Sequence, residues 1–180
     1  MKRKIFISIN IPKKDKKRLT AAVSGWQELP VKWVKEPNFH LTLAFLGHVY
    51  DSAIPAISEG VKKAVLGKAM FDLNFSEIKL NSVDDPKIIW LEGEANVELK
   101  NLQEAVEKEL GIFVVAKKVF IPHITLGRIR KQKWEELELK PEIKKLLDFI
   151  VTVESVDVMA SDFENGGEEY TIIDSFQLNG

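Results

Sequence analysis

The stretches Asn38-Phe39-His40-Leu41-Thr42-Leu43-Ala44-Phe45-Leu46-Gly47 and Pro122-His123-Ile124-Thr125-Leu126-Gly127-Arg128 decide how this chain folds. Each carries a histidine, an apolar residue, a threonine and another apolar residue. On a strand, residues i and i+2 share a face. His40 and Thr42 therefore point one way, while Leu41 and Leu43 point into a core. His123 and Thr125, with Ile124 and Leu126, repeat the arrangement nearly half a chain later.

A single histidine on a strand is ordinarily a hydrogen-bonded structural residue. The duplication argues otherwise. The chain has three histidines and five threonines, and 45% of its residues are hydrophobic. With that composition the full pattern follows a given histidine in under about one per cent of cases, so two matches among three is roughly a 10⁻⁴ event. His48 follows Gly47 at a strand end, lacks the pattern and reads as a loop residue.

Working outward, Lys4 to Ile11 alternates and reads as a strand. Pro12 opens a helix over Lys13 to Trp26, with Leu19, Ala22, Val23 and Trp26 on one side. Val31 to Lys35 is a short strand and Phe39 to Leu46 a strong one, stopped at Gly47. Asp51-Ser52 caps a helix to Leu66, with Pro55 in its first turns. Phe71 to Leu80 and Lys87 to Gly93 are strands joined by the Asp84-Asp85-Pro86 turn. Asn96 caps a helix that ends at Leu110-Gly111. Lys118 to Ile129 is a strand interrupted by Pro122, which implies a bulge or an edge position. Pro141 begins a short helix. Phe149 to Ser161 and Glu168 to Leu178 form a hairpin around Asn165-Gly166-Gly167. Paired strands without regular crossover helices imply an α+β fold with antiparallel sheets. No linker or low-complexity segment divides residues 1–180, so one domain is expected.

The composition is that of a globular protein, with 29% charged residues and a net charge of −1, which argues against non-specific nucleic-acid binding by the whole surface. There are no cysteines, which removes disulfides and thiolate metal sites. No apolar run approaches a membrane span, and Asn10 and Pro12 cut the N-terminal apolar stretch short of a signal peptide. A cytoplasmic location is expected. Basic residues crowd the start (Lys2, Arg3, Lys4, Lys13, Lys14, Lys16, Lys17, Arg18) and read as a solvated face. A second group (Lys117, Lys118, Arg128, Arg130, Lys131, Lys133) brackets the second motif, where Arg128 and Arg130 favour a functional reading.

Two imidazoles suit the opening of a cyclic phosphodiester by water. One takes a proton from water and the other protonates the leaving oxygen, both near neutral pH. Threonine hydroxyls can donate to non-bridging phosphate oxygens, where charge builds in the transition state. Arg128 adds charge-assisted bonds to the same phosphate. No metal or other cofactor is called for. A dinuclear metal site would want carboxylates near the histidines, and no serine sits in a strained elbow.

The two stretches resemble the paired signatures of the two-histidine (2H) phosphoesterase superfamily, and within it the RNA 2′,3′-cyclic phosphodiesterases, historically called 2′-5′ RNA ligases. The resemblance extends to Ile5-Phe6-Ile7-Ser8-Ile9, Lys32-Trp33-Val34, Ile88-Ile89-Trp90-Leu91 and the terminal Ser161…Gly166-Gly167…Tyr170 segment. It implies a bilobal, pseudo-twofold fold, with two antiparallel sheets lining a central cleft and helices outside. It implies hydrolysis of an RNA 2′,3′-cyclic phosphate to a 2′-phosphate, with His40 as the acid protonating O3′ and His123 as the base. The near-symmetric motifs do not themselves separate those roles. Thr42, Thr125 and Arg128 would hold the phosphate, Phe45 would stack on the nucleobase, and Arg130 is a candidate RNA contact.

Phe45 and Arg128 raise a difficulty. Each lies five residues after its histidine, on the wrong face by strict alternation. They reach the cleft only if the strands bend, which the small Ala44 and Gly127 allow. The alternative for Phe45 is a core aromatic. Trp33, Trp90 and Tyr170 are further candidates for lining the cleft, with Trp33 and Trp90 read by default as core or rim residues. The expected partners are RNA 3′ ends or nucleotides bearing the cyclic phosphate, with no membrane, and the protein is expected to be a monomer. Rival functions are a phosphodiesterase for 2′-5′ oligoadenylates or another small cyclic phosphate, and a non-catalytic module that binds RNA ends. End joining to a 5′-OH would be a minor reverse reaction.

Overall fold

Strands form where apolar and polar residues alternate, and the computed structural model, which describes residues 1–115, 119–164 and 167–180, contains nine. They are β1 (Lys2–Asn10), β2 (Val31–Trp33), β3 (His40–Tyr50), β4 (Phe71–Leu80), β5 (Ile88–Gly93), β6 (His123–Ile129), β7 (Lys144–Val153), β8 (Ser155–Glu164) and β9 (Gly167–Gln177). The helices are α1 (Lys13–Ala22), α2 (Ile54–Val65), α3 (Val97–Leu110) and α4 (Lys131–Glu135). Every strand pairing is antiparallel, in the order β7-β4-β5-β6-β3-β1-β8-β9, with β2 also against β6.

The α+β class and the antiparallel pairing are as expected. The two expected sheets are instead two halves of one continuous sheet. They join at a single pair, Leu41 opposite Ile124, in the middle of the two motifs. Beyond that pair β3 leaves β6, and β2 takes over the same edge of β6, pairing Val31, Lys32 and Trp33 with Ile129, Arg128 and Gly127. The sheet opens where β3 and β2 part.

The core lies on the side away from the histidines and includes Leu41, Leu43, Ile124 and Leu126, all buried. α3 contributes Leu99, Leu102, Val106 and Leu110, a stripe of helical period. Its first turn is capped as expected, the Asn96 side chain accepting from the Leu99 amide at 2.8 Å. α2 adds Ile57, Val61, Ala64 and Val65, and Gly60 lets α3's Leu110 approach closely.

Several expectations need correction. Gly47 does not stop β3. It adopts a positive φ of 68° within it, and the strand runs on to Tyr50. The helix after Pro12 ends at Ala22, and Ser24–Trp26 form a separate 3₁₀ turn. Asp51 and Ser52 lie in another 3₁₀ turn, and no side chain caps α2. Pro122 precedes β6 rather than interrupting it. The short helix is α4, before Pro141 rather than at it. Phe149 to Ser161 spans two strands, because Glu154 separates β7 from β8, which lie in opposite halves of the sheet. Lys117 and Lys118, and the turn at Asn165-Gly166, lie outside the described residues.

Candidate active site

The junction pair sets the geometry. Two antiparallel strands have a local twofold axis between them, and here it relates like to like: Leu41 and Ile124 each follow a motif histidine. One step either way, the register sets His40 across from Thr125 and Thr42 across from His123. All four are half-buried on one face.

The same irregularity then appears in both strands. In β3, Leu43 and Ala44 are buried in succession, and the register against β1 slips between them and Thr42. In β6, Leu126 and Gly127 are buried in succession, and the register against β5 slips between Ile89 and Trp90. Each slip is a bulge, which reverses the alternation that follows. Phe45 and Arg128 thereby emerge on the histidine face. Phe45 is 56% exposed, so it is not a core aromatic. Gly127 is required by close approach, because a Cβ there would stand 2.4 Å from Val31 Cγ1 and 3.0 Å from the Trp33 ring.

The two rings are held alike. Nδ1–H of His40 donates to the Asn38 carbonyl and Nδ1–H of His123 to the Ile121 carbonyl, both at 2.7 Å. A carbonyl can only accept, so the proton is on Nδ1 and Nε2 is the free basic atom of each ring. The Thr42 hydroxyl lies 3.0 Å from His40 Nε2.

Their surroundings differ. Burial pushes His40 down to about 4, opposed by the bond to Asn38, with Lys16, His123 and Arg128 lowering it further. Burial also lowers His123, but the bond to Ile121 and the nearby Glu92 oppose it, while Arg128 lowers it. Both rings are therefore neutral near pH 7 in the free protein. Tyr170, on β9, meets His40 edge-on at 5.2 Å and Phe6 at 5.1 Å. Burial and Glu168 push its phenol up to about 12, and Arg128 beside it opposes the shift. Trp90 stacks on His123 at 4.5 Å.

His40, Thr42, His123, Thr125, Arg128 and Phe45 thus share one face around the junction. Arg130 is not brought to it. That residue is exposed at the start of α4, where its amide donates to the Pro30 carbonyl. His48 is exposed, but it lies within β3, paired with Lys4, rather than in a loop, because the strand runs on past Gly47. Three contributors escape a reading of the sequence alone. Trp90 reads there as a core or rim residue, and nothing in a lone Glu92 marks it. Lys16 is buried, not part of a solvated face, and its helical spacing with Leu19 and Val23 is the available signal. Among the described residues no cluster of three or more His, Cys, Asp or Glu could hold a metal ion. A cavity of about 550 Å³, lined by Leu80, Trp134, Pro141 and Ile143 among others, lies apart from the histidines. No helix among the described residues is long and apolar enough to cross a membrane.

A curled antiparallel sheet with two His-Thr units at its centre defines the two-histidine class of phosphoesterase sites. The chain belongs to the 2′-5′ RNA ligase superfamily, whose family model matches residues 14–164. It is 28% identical to an RNA 2′,3′-cyclic phosphodiesterase of Thermotoga maritima, over 97% of this chain and 95% of that one. Among solved structures it resembles TT0787 of Thermus thermophilus, with a TM-score of 0.79 and 23% identity over 98% of each chain. It also resembles E. coli LigT complexed with 3′-AMP, with a TM-score of 0.80 and 22% identity over 100% of each chain. These structural likenesses concern the fold.

Proposed function

We propose that the protein opens an RNA or nucleoside 2′,3′-cyclic phosphate with water, without a metal, and leaves a 2′-phosphate. The observation that carries this reading is the like-to-like pair Leu41–Ile124, which sets the two His-Thr units across from each other on one face of the sheet. The name of the Thermotoga relative and the 3′-AMP held by LigT point to the same substrate class.

In the reaction the water oxygen bonds to phosphorus as the P–O3′ bond breaks. His123 Nε2 takes the water's proton and His40 Nε2 gives one to O3′. That division rests on the family likeness, since both motifs present the same unprotonated Nε2. His40 is neutral in the free protein, so it must gain its proton with the substrate, whose phosphate anion favours the charged ring. Thr42, Thr125 and Arg128 hold the non-bridging oxygens as charge builds. Phe45 is exposed beside them for a sequence-tolerant stack on the terminal base. The protein works as a monomer, in the cytoplasm, on RNA 3′ ends. Joining to a 5′-OH would use the same contacts and is minor in water.

The test is product analysis with adenosine 2′,3′-cyclic phosphate in the presence of EDTA. Formation of the 2′-phosphate is expected. The 3′-phosphate as product, or full activity in His40→Ala or His123→Ala, would overturn the reading.

A further inference from the structure

Lysine is among the residues least often buried, yet α1 buries Lys16 to 8% exposure. Its ammonium donates to the Pro37 carbonyl at 2.7 Å and makes no ion pair among the described residues. Asp157 and Glu36 act on it only at longer range. Asp157 is itself buried and engaged by the hydroxyls of Ser175, at 2.6 Å, and Ser155, at 3.4 Å. A buried cation with so little compensation is costly, so what it touches matters.

It touches the 3₁₀ turn Glu36–Asn38, whose last carbonyl holds His40 Nδ1–H. Two further bonds tie this turn. The Thr20 hydroxyl donates to Glu36 at 3.3 Å, and the Asn38 side chain donates to the Glu168 carbonyl of β9 at 2.9 Å. Among the described residues no lysine clamps the second motif in the same way: burial and Arg128 lower His123, and the nearby charge that opposes them is the anionic Glu92. The two His-Thr units are alike in the strand and unlike in what stands behind it.

We propose that Lys16 is a positioning residue for His40: it clamps the turn whose Asn38 carbonyl fixes the Nδ1–H form of the ring. The other charged and titratable groups around this ring are His123 and Arg128 from β6, Tyr170 and Glu168 from β9, Asp157 from β8 and Glu36 from the turn. Burial is the larger cause of the ring's low pKa, and Lys16 is the strongest of the charges that add to it. The kinetic part of this proposal rests on the function proposed above.

The experiment compares Lys16→Met, Lys16→Gln and Lys16→Arg with the parent. Turnover of adenosine 2′,3′-cyclic phosphate is followed across pH, and ring ¹⁵N spectra report the tautomer and titration of His40. Lys16→Met should lose about 10-fold or more in kcat, as for a slightly displaced reacting group, with KM changed little. The alkaline limb of its profile should move to higher pH, and His40 should titrate higher. Lys16→Gln, which keeps a donor for Pro37 without the charge, should lose less kcat but show the same rise. Lys16→Arg should restore both. Unchanged kcat and titration in Lys16→Met would overturn the proposal. So would a loss with both limbs unmoved that follows a lowered Tm, because that is a structural role only. If Lys16→Met does not fold, the Gln and Arg variants carry the comparison. If the parent leaves the cyclic phosphate intact, the proposed function fails, and the ring spectra still decide the role of Lys16.

Discussion

Replacing Gly127 by alanine tests whether the bulge in β6 is what delivers Arg128 to the cleft. The added Cβ would lie 2.4 Å from Val31 Cγ1, and 3.0 and 3.3 Å from two carbons of the Trp33 ring. Ordinary carbon contacts lie near 3.5–4.0 Å, so roughly 1 Å must be found by moving β2 or opening the bulge. Overpacking of this size costs about 1–3 kcal/mol. Arg128 is the next residue, paired with Lys32 of the displaced strand. A shift of about 1 Å there should lower kcat/KM roughly 10- to 100-fold. The assay is a double-mutant cycle. Gly127→Ala, Val31→Ala and the pair are compared by denaturant unfolding and by turnover of a nucleoside 2′,3′-cyclic phosphate. Val31→Ala removes the clashing methyl, so the pair should be more stable than the sum of the single variants by about 1 kcal/mol, and should regain part of the activity. Ala44, the matching position in β3, already carries a methyl, and its conservative variants serve as controls. A Gly127→Ala protein within about 0.5 kcal/mol of the parent and with unchanged turnover would refute the reasoning, as would strict additivity in the cycle.

Other outcomes are equally specific. Thr42→Ala and Thr125→Ala should each cost about 10- to 10³-fold in kcat, the usual loss of one donor to a developing oxyanion; steady-state kinetics checks this. Phe45→Ala should raise KM for nucleoside substrates about 5- to 100-fold, the loss of about 1–3 kcal/mol of base stacking, with Tm hardly changed. His40 is held near 4 in the folded protein, against 6.5 when unfolded. Protonation below pH 6.5 therefore favours the unfolded chain, and stability falls as pH drops from 6.5 toward 4, by about 3 kcal/mol from this group. Denaturant titrations at several pH values should show a shallower fall in His40→Asn. The kcat/KM profile should be bell-shaped with its maximum on the acidic side of neutrality, because burial lowers both histidines; a maximum above pH 8 would contradict the environment described for them.

The strands and the site were legible to different depths. His40, Thr42, His123 and Thr125 could be read together because alternation is a local rule and both motifs obey it for four residues. Phe45 and Arg128 break the rule, and small residues at 44 and 127 were the only trace of the bulges that bring them round. The continuous sheet was not legible, since one long-range pair decides it and no local pattern encodes that pair. β7 and β8 read as one strand because Phe149 to Ser161 alternates across Glu154 with no glycine or proline to mark the break. Lys16 was hidden by its neighbours Lys13, Lys14 and Lys17, whose charge made the whole run look solvated. Trp90 and Glu92 could not be placed because their importance comes only from lying across β6 from Thr125 and His123.

The sheet order has a consequence for how the protein is made. β1 lies between β3 and β8, so one of its partners follows it closely in the chain and the other comes only after β7. The half of the sheet that carries His40 is closed by β8 and β9, which follow both motifs in the chain. Tyr170, which packs against the His40 ring, arrives with them. Contacts so distant in sequence form slowly. A chain folded only as far as β6 carries both motif histidines but lacks the strands that enclose the first. Until those strands pair, the apolar face of β1 must be shielded from other chains by the helices that follow it, or by a chaperone.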